Sequence, residues 1–371
     1  MEYFTDTIEC LNENAPHSEE ATSFYNFFKD FEDNQGYTFI RCFIAMDFFQ
    51  KTEKLKFDLN FTIDQYKKLL TQELELAKIL VESFEVYKDK IISFNPRSDN
   101  NDIGFTQTHY GNLFTNFSEY HYYEEPFELL STRLDRNNIN LEDNENKIAL
   151  DCGCGGGRYT LALAKFGFKE VYGVDYSPLN IDTAKERAKA RNIENVVYKQ
   201  GNVLDLPFED NKFDFIFCNG VLHHSRSIAK GVEEMVRVIK PGGLGWLYLI
   251  NRLGGIHLDT IELLRSILKP VDQEYARKVL GILGIPQNRI FYILDHVMVP
   301  VNTLSSSEEI EEMFANNQIT EYKRLERGVD FDTIEKIWNI KQSNPNDKDL
   351  IWRYGTGEHR YLFRKPIIQK S

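Results

Sequence analysis

One glycine-rich stretch, Asp151-Cys152-Gly153-Cys154-Gly155-Gly156-Gly157-Arg158, constrains the fold of this chain more than any other feature. The mostly apolar residues 147–150 before it predict a short buried strand, and residues 159–164 after it predict the start of a helix. Such a turn brings backbone N–H groups and a helix N-terminus close to a ligand. The nucleotide-binding pattern G-x-G-x-x-G would require a glycine where Arg158 stands. Asp151, at the strand end, favours a ligand with a positive charge over a bare pyrophosphate.

After this turn the sequence alternates between predicted strands and predicted helices. The further strands are predicted at 171–175, 196–200, 213–219, 244–250, 321–326 and 359–364, and the helices of the alternating part at 178–191 and 228–238. This order predicts an α/β fold with a doubly wound, seven-stranded, mainly parallel sheet, whose last strand is antiparallel and whose helices cover both faces. Ligands of such sheets bind at the carboxyl ends of the strands, where the winding reverses.

The rest of the chain is predicted to be mostly helical. Residues 1–105 form an α-helical N-terminal region rich in aromatic residues, in which Thr62 and Gln65 predict a capping box. Residues 106–371 are predicted to form the domain that carries the sheet, with a helical cap at about 252–315. The N-terminal aromatic residues are explained most simply as packing between helices; a lid over a substrate and a dimer surface are the alternatives.

Charge and composition exclude several classes of partner. The formal net charge is −13, and we find no lysine and arginine cluster that would grip nucleic acid or anionic lipid. No apolar run approaches the roughly 20 residues that cross a bilayer. The five cysteines, an odd number, and the absence of a secretory signal favour reduced thiols in the cytoplasm. We therefore expect a cytoplasmic protein with no nucleic-acid partner and no membrane span, which could pair as a homodimer through its N-terminal helices.

Four motifs in order resemble those of the class I S-adenosylmethionine-dependent methyltransferases, between about His109 and Lys365. They are the glycine turn, Val174-Asp175-Tyr176-Ser177, Gly201-Asn202-Val203-Leu204-Asp205-Leu206-Pro207-Phe208, and Asp214 to His224 followed by Val238 to Gly243. Leu222-His223-His224 and the insert after the fifth strand look like the small-molecule, type-11 group, which is similar to enzymes of ubiquinone and menaquinone biosynthesis. The resemblance implies a Rossmann-like fold and a transferase that uses S-adenosylmethionine and releases S-adenosylhomocysteine.

The resemblance also implies roles for individual residues toward the cofactor. Asp151 and the loop amides would hold the methionyl amine and carboxylate, and Asp175 would accept hydrogen bonds from the ribose hydroxyls. The family usually has an acid where Asn202 stands, although the amide carbonyl can still accept from the adenine amino group. The complete set of predicted cofactor-binding residues is Tyr110, Asp151, Gly153, Gly155, Gly157, Arg158, Asp175, Tyr176, Asn202, Val203 and Asn219.

Candidate catalytic residues are His223 and His224, since a base is needed only if the acceptor arrives protonated. The alternative is that both histidines only shape the loop. Tyr123 is expected to pack, and Asp295 with His296 to form a surface pair. Cys152 and Cys154 lack a second Cys/His pair at a suitable spacing, so no metal site is predicted.

The predicted function is transfer of a methyl group from S-adenosylmethionine to an oxygen, nitrogen or carbon atom of a small-molecule acceptor. The Asn-Pro-Pro-Tyr signature of amino-group DNA methylation is absent, because Asn219-Gly220-Val221-Leu222 stands in its place. Two alternatives are methylation of a protein or peptide side chain, and a regulatory subunit that binds the cofactor without catalysis.

Overall fold

A computed structural model describes residues 15–31, 35–86, 118–252, 254–325, 331–356 and 358–367. Contacts divide these residues into two units. The first unit takes the described residues within 1–100, 252–300 and 340–357, and the second takes those within 101–251, 301–339 and 358–371.

The α-helices of the described residues alternate with strands only in the middle of the chain. They are α1 (Ser18–Lys29), α2 (Gln35–Phe57), α3 (Ile63–Glu85), α4 (Glu125–Arg136), α5 (Arg158–Lys165), α6 (Pro178–Ala190), α7 (Ile228–Val238), α8 (Gly255–Leu268), α9 (Gln273–Ile282), α10 (Gln287–Val297), α11 (Ser307–Asn316), α12 (Phe331–Ser343) and α13 (Leu350–Tyr354). A π-helical turn at Tyr120–Glu124 precedes α4, and a 3-10 turn at Leu222–His224 precedes α7.

The second unit contains one seven-stranded sheet with the strand order β3-β2-β1-β4-β5-β7-β6. Its strands are β1 (Ile148–Cys152), β2 (Glu170–Asp175), β3 (Val196–Gln200), β4 (Phe213–Asn219), β5 (Ile239–Leu249), β6 (Glu321–Arg324) and β7 (His359–Arg364). Strands β1 to β5 pair in parallel, and β7 is antiparallel to both β5 and β6. The predicted fold class is therefore confirmed, including the antiparallel last strand.

Side chains from alternate positions of the strands enter two separate buried clusters, because successive residues of a strand point to opposite faces. Leu150, Ile216 and Leu247 pack with α7 on one face. Phe217 and Trp246 pack with α4 on the other face. Helices thus cover both faces, and only the ends of the strands remain for a ligand. The strand order reverses between β1 and β4, where such sheets open a crevice.

Strand β5 begins earlier than its sequence indicates. We predicted a turn at 240–243 before a strand at 244–250, whereas β5 starts at Ile239. Phe213 pairs with Ile239 and Phe215 with Leu244, so the intervening residues of β5 form an irregularity in the ladder. Gly242 has a φ of 81°, which only glycine adopts readily, and it lies in this irregularity.

The first unit is built around a core of aromatic and aliphatic residues. Phe24, Phe28, Phe48 and Tyr66 of the N-terminal helices are fully buried, in the same cluster as the apolar residues of α8, α9 and α10. The predicted capping box is present, since the Thr62 hydroxyl accepts from the Gln65 N–H and the Gln65 side chain accepts from the Thr62 N–H.

The contacts group the helices differently from a single division near residue 105. Helices α8 to α10 belong to the first unit with the N-terminal helices, whereas α11 belongs to the second unit. Residue 105 lies outside the described residues, and the predicted domains 1–105 and 106–371, with a cap at about 252–315, stay a prediction. Among the helices that the structure describes, none combines the length and apolar character that a membrane span requires.

Candidate active site

The glycine turn lies between β1 and α5 and is tied to the end of the neighbouring strand. The N–H groups of Gly153 and Cys154 both donate to the carbonyl oxygen of Val174 in β2, at 2.7 and 2.9 Å. Gly153, Gly155 and Gly157 have φ values of 70°, 53° and 91°, a region that other residues seldom adopt. The turn therefore depends on its glycines for its backbone conformation.

Gly157 is additionally required for close packing. A Cβ atom there would lie 2.6 Å from the hydroxyl oxygen of Tyr198 and 2.9 Å from the Cβ of Ala184. Tyr122, which sequence reasoning did not assign to the site, donates its hydroxyl to the carbonyl oxygen of Gly156. The cluster of aromatic residues at 120–123 was the only signal for this contact.

Asp151 is a buried carboxylate at the end of β1. It is 3% exposed, and its Oδ2 accepts a hydrogen bond of 2.7 Å from the Thr160 hydroxyl. Burial raises the pKa of Asp151 to about 7, and the hydrogen bond from Thr160 opposes this only in part. No cationic side chain of the described residues forms an ion pair with it. A buried carboxylate without a cation is costly, so a cationic group of a ligand fits this position.

Asp175, at the end of β2, holds the glycine turn and the start of α6 together. Its Oδ2 accepts from the Gly155 N–H, and its Oδ1 accepts from the Ser177 N–H and the Asn180 Nδ2, each at 2.9 Å. Burial raises the pKa of Asp175. A carboxylate has about four acceptor positions, so one on Oδ2 remains for a hydroxyl group of a ligand.

Arg158 and Tyr123 make contacts within the protein. Arg158 pairs with Glu125 of α4 at 2.6 Å, so its guanidinium ties α5 to α4. Tyr123 is buried and donates its hydroxyl to the carbonyl oxygen of Arg187 at 2.9 Å, which agrees with the predicted packing role. The predicted role of Arg158 toward the cofactor stays a prediction.

Three further predicted cofactor residues follow β2 and β3, another, Asn219, ends β4, and Tyr110 lies outside the described residues. The Tyr176 side chain is 49% exposed next to Asp175. Asn202 is exposed, and its Oδ1 accepts from the Leu204 N–H at 2.9 Å. That amide oxygen keeps a second lone pair with which it could accept from a ligand. Val203 packs partly against the sheet core.

The two predicted catalytic histidines lie just beyond the end of β4. Asn219 ends that strand and accepts a hydrogen bond of 3.2 Å from the Trp246 indole. The His223 and His224 rings are 4.1 Å apart between centroids. His224 Nδ1 lies 2.8 Å from the carbonyl oxygen of Val301, which places the proton of the neutral ring on Nδ1 and makes Nε2 its acceptor nitrogen.

Two residues that sequence reasoning missed extend this edge of the sheet. Tyr248 is paired with Asn219 across β4 and β5, and with Arg360 across β5 and β7. The guanidinium carbon of Arg360 lies 4.2 Å from the centroid of the Tyr248 ring. An arginine near the start of the predicted strand 359–364 was the available signal.

The predicted residues within the described ranges thus converge on one edge of the sheet, at the ends of β1, β2, β3 and β4. Cys152 and Cys154 are buried there, and burial raises the pKa of both thiols well above the usual value. A cavity of about 260 Å³ lies at the opposite edge, against Lys147, Asp214 and Lys240. It is separate from the candidate site.

Comparison with known proteins confirms the predicted resemblance. Residues 150–247 match the family model described as a methyltransferase domain. This match includes the glycine turn, Asp175, Asn202 and both histidines. The domain implies S-adenosylmethionine as the cofactor.

Curated relatives are similar over the same region. A demethylmenaquinone methyltransferase of Staphylococcus aureus is 33% identical over 138 residues, covering 37% of this chain and 52% of the relative. A 2-phytyl-1,4-naphtoquinone methyltransferase of Trichormus variabilis is 36% identical over 138 residues, covering 34% of this chain and 60% of the relative. The chain thus spans little more than half the length of these relatives. A solved structure of a SAM-dependent methyltransferase from Aquifex aeolicus is similar with a TM-score of 0.38 at 18% identity, covering 60% of this chain and 93% of that chain.

Proposed function

We propose that this chain transfers a methyl group from S-adenosylmethionine to a small-molecule acceptor. The observation that carries the proposal is Asp151, a buried carboxylate beside the glycine turn for which the described residues provide no cationic partner. S-adenosylmethionine has a cationic amine at one end, and this amine fits beside such a carboxylate. The match of residues 150–247 to a methyltransferase domain supports the same cofactor.

The residues of the turn would bind and orient the cofactor. Asp151 would bind the amine, and the N–H groups of Gly153, Gly155 and Gly157, which donate within the protein, would hold the turn in shape. Asp175 would accept from a ribose hydroxyl at its remaining acceptor position, and Asn202 would accept from the adenine amino group. The bound sulfonium supplies an electrophilic methyl group. Positioning of the acceptor in line with that methyl group supplies much of the acceleration.

A base is required where the acceptor atom carries a proton. Of the two candidates, His224 has its acceptor nitrogen defined, because the Val301 carbonyl holds the proton on Nδ1. His224 Nε2 would take the proton of the acceptor, and His223 would support the adjacent loop, where its carbonyl oxygen accepts from the Thr303 N–H at 2.8 Å.

A small-molecule acceptor is supported by the relatives. Those named above are methyltransferases of demethylmenaquinone and of a phytyl naphthoquinone, and both names describe flat, apolar ring systems. The acidic net charge of −13 supports the absence of a nucleic-acid partner. A cytoplasmic location and a homodimer through the N-terminal helices remain further proposals.

One labelling experiment separates the three candidate functions. The protein is incubated with cofactor labelled in the transferable methyl group and with an extract of its host cells, and label is counted in the small-molecule and protein fractions. Label in small molecules supports the proposal. Label in protein supports methylation of a side chain instead. Cofactor binding with no label in either fraction indicates a regulatory subunit and contradicts the proposal.

A further inference from the structure

Arg360 is buried without the hydrogen bonds that a buried guanidinium requires. It is 4% exposed, and its Nε and Nη1 are both buried with no hydrogen-bond partner in the part of the chain that the structure describes. Glu358 lies 3.1 Å from Nη1, within ion-pair distance, but not in hydrogen-bonding geometry. Burying a charge is expensive unless it is paired and its donors are satisfied, so this arrangement calls for a reason.

A second arginine on the same strand provides the contrast. Arg364 also lies on β7 and points to the same face, four residues further along. Its Nε pairs with Glu321 at 2.9 Å, and its Nη1 donates to the carbonyl oxygen of Gly242 at 2.6 Å. Arg364, at one end of β7, therefore has partners for its guanidinium, whereas Arg360, near the other end, has too few among the described residues.

Arg360 lies at the same sheet edge as the candidate active site. Tyr248 of β5 pairs with Asn219 of β4 on one side and with Arg360 of β7 on the other. The Tyr248 ring lies 5.8 Å from the His223 ring, and a Cβ on Gly220 would be 3.4 Å from the Tyr248 ring. Two strand spacings of ~4.8 Å put Arg360 about 10 Å from the end of β4. That distance suits an acceptor with one ring between its two ends.

The electrostatics favour an added negative charge at this position. Burial, and after it the nearby Arg133 guanidinium, lower the pKa of Arg360, which shows that its surroundings disfavour its positive charge. Arg133 itself donates to the Tyr159 hydroxyl at 2.9 Å. Glu358 is the one carboxylate within ion-pair distance of Arg360 among the described residues, and its side chain is 31% exposed.

We propose that Arg360, whose guanidinium lies over the face of the Tyr248 ring, recognises a carboxylate group of the acceptor. This carboxylate would lie at the end of the active site that is farther from the methyl donor. A guanidinium offers a planar fork of donors that matches a carboxylate with two parallel hydrogen bonds. The Tyr248 ring fixes the plane of the guanidinium through its face. The assignment rests on the proposed function, because it concerns the acceptor of that reaction.

The test measures binding of acids and of their neutral esters. The full chain is loaded with S-adenosylhomocysteine and titrated in a calorimeter with 2-, 3- and 4-hydroxybenzoate, each beside its methyl ester. We expect at least one acid to bind about tenfold more tightly than its ester, as one charge-assisted pair predicts. Acids that bind no better than their esters across the panel would overturn the proposal, as would no binding of any.

Variants show whether Arg360 is responsible. Arg360→Met is expected to abolish the preference for the acid and to leave the ester and S-adenosylhomocysteine binding unchanged. Arg360→Lys keeps the charge but not the fork and should retain part of the preference. Arg364→Met is the matched control and should retain all of it. A preference that survives in Arg360→Met would contradict the proposal.

Two further measurements, of S-adenosylhomocysteine binding and of thermal stability, distinguish a failure of this inference from a failure of the proposed function and from a structural role of Arg360. Binding of S-adenosylhomocysteine is measured first, so its absence counts against the proposed function, whereas its presence without an acid preference counts against Arg360 alone. The comparison of acid and ester in the unmodified protein does not depend on whether any variant folds. Arg360→Met should also melt no lower than the unmodified chain if Arg360 serves binding, and markedly lower if it serves structure.

Discussion

The carboxylate of Asp175 accepts a hydrogen bond of 2.9 Å from the backbone N–H of Gly155, so the end of β2 holds the turn that follows β1. The same carboxylate accepts from Ser177 and Asn180 at the start of α6. One side chain therefore fixes two loops that the candidate site requires. In this account Asp175 acts on the cofactor both directly and through the shape of the turn.

Replacing Asp175 should weaken cofactor binding. In Asp175→Asn an amide NH₂ replaces one carboxylate oxygen, and the charge that strengthens the bonds to Gly155, Ser177 and Asn180 is lost. We expect a loss of about 1.5–3 kcal/mol, or about tenfold to about a hundredfold in affinity for S-adenosylhomocysteine, measured by calorimetry. Asp182→Asn, an exposed position on α6, is the control and should leave the affinity unchanged.

Asp151 should make the ligand-free protein less stable as the pH rises. Its pKa is about 7 in the folded protein, against about 3.9 in an unfolded chain, so the folded state binds more protons between these values. The contribution of this group to stability is therefore present below about pH 4 and is lost as the pH rises to about 7. Asp151→Asn should raise the melting temperature at neutral pH and have little effect near pH 4. A variant that melts lower at neutral pH would contradict this.

Cofactor binding should favour the ionised form of Asp151, whereas folding of the ligand-free protein favours its protonated form. A cationic amine favours the ionised form of Asp151, so affinity for S-adenosylhomocysteine should fall as the pH drops from about 8 to about 6. Proton uptake by the amine of the ligand itself is negligible in this range. Asp151→Asn should bind more weakly and lose this pH dependence. Calorimetry at several pH values measures both, and equal pH profiles for the two proteins would count against the role of Asp151.

Gly157→Ala should destabilise the fold more than the same change at Gly167. Both residues have positive φ, 91° and 82°, so both variants bear backbone strain of about 1–2 kcal/mol. Only at Gly157 would the new Cβ also meet Tyr198 and Ala184, whereas at Gly167 it would meet nothing within 4 Å. We expect a further loss of about 1–3 kcal/mol at Gly157, read from urea unfolding. Equal losses would show that Tyr198 and Ala184 make room for the new Cβ without a further loss of stability.

His224→Phe should lower turnover without weakening cofactor binding. Removal of a general base costs about 10²- to 10⁴-fold in rate, and the effect should shrink as the pH rises and the acceptor loses its proton unaided. His121→Gln, in the exposed turn before α4, is the control and should keep full turnover. Turnover of His224→Phe within about twofold of the unmodified chain would assign His224 a purely structural role.

The sheet and the glycine turn could be predicted from the sequence because their signals are local. Apolar runs that end at Asp151, Asp175 and Asn219 alternate with helical segments, and the order of strands and helices fixes the winding. Positive φ at Gly153 and Gly157 follows from the same short stretch. These residues lie together because parallel strands all end at one edge.

The relation of Tyr248 to Arg360 could not be predicted, because it depends on the register of two antiparallel strands separated by more than a hundred residues of sequence. Nothing local indicates which residue of β7 faces Tyr248 of β5. The contacts of α8 to α10 with the N-terminal helices could not be predicted for a related reason. An apolar helix face predicts burial but does not name its partner. The early start of β5 was missed because Pro241, Gly242 and Gly243 are typical of turns.

The most direct test of the account is a calorimetric titration of the unmodified chain with S-adenosylhomocysteine, repeated with Asp151→Asn and Asp175→Asn. The account predicts one binding site per chain, with affinity reduced about tenfold or more in each variant. Absence of binding to the unmodified chain, or equal affinity in all three proteins, would contradict the assignment of this sheet edge as the cofactor site.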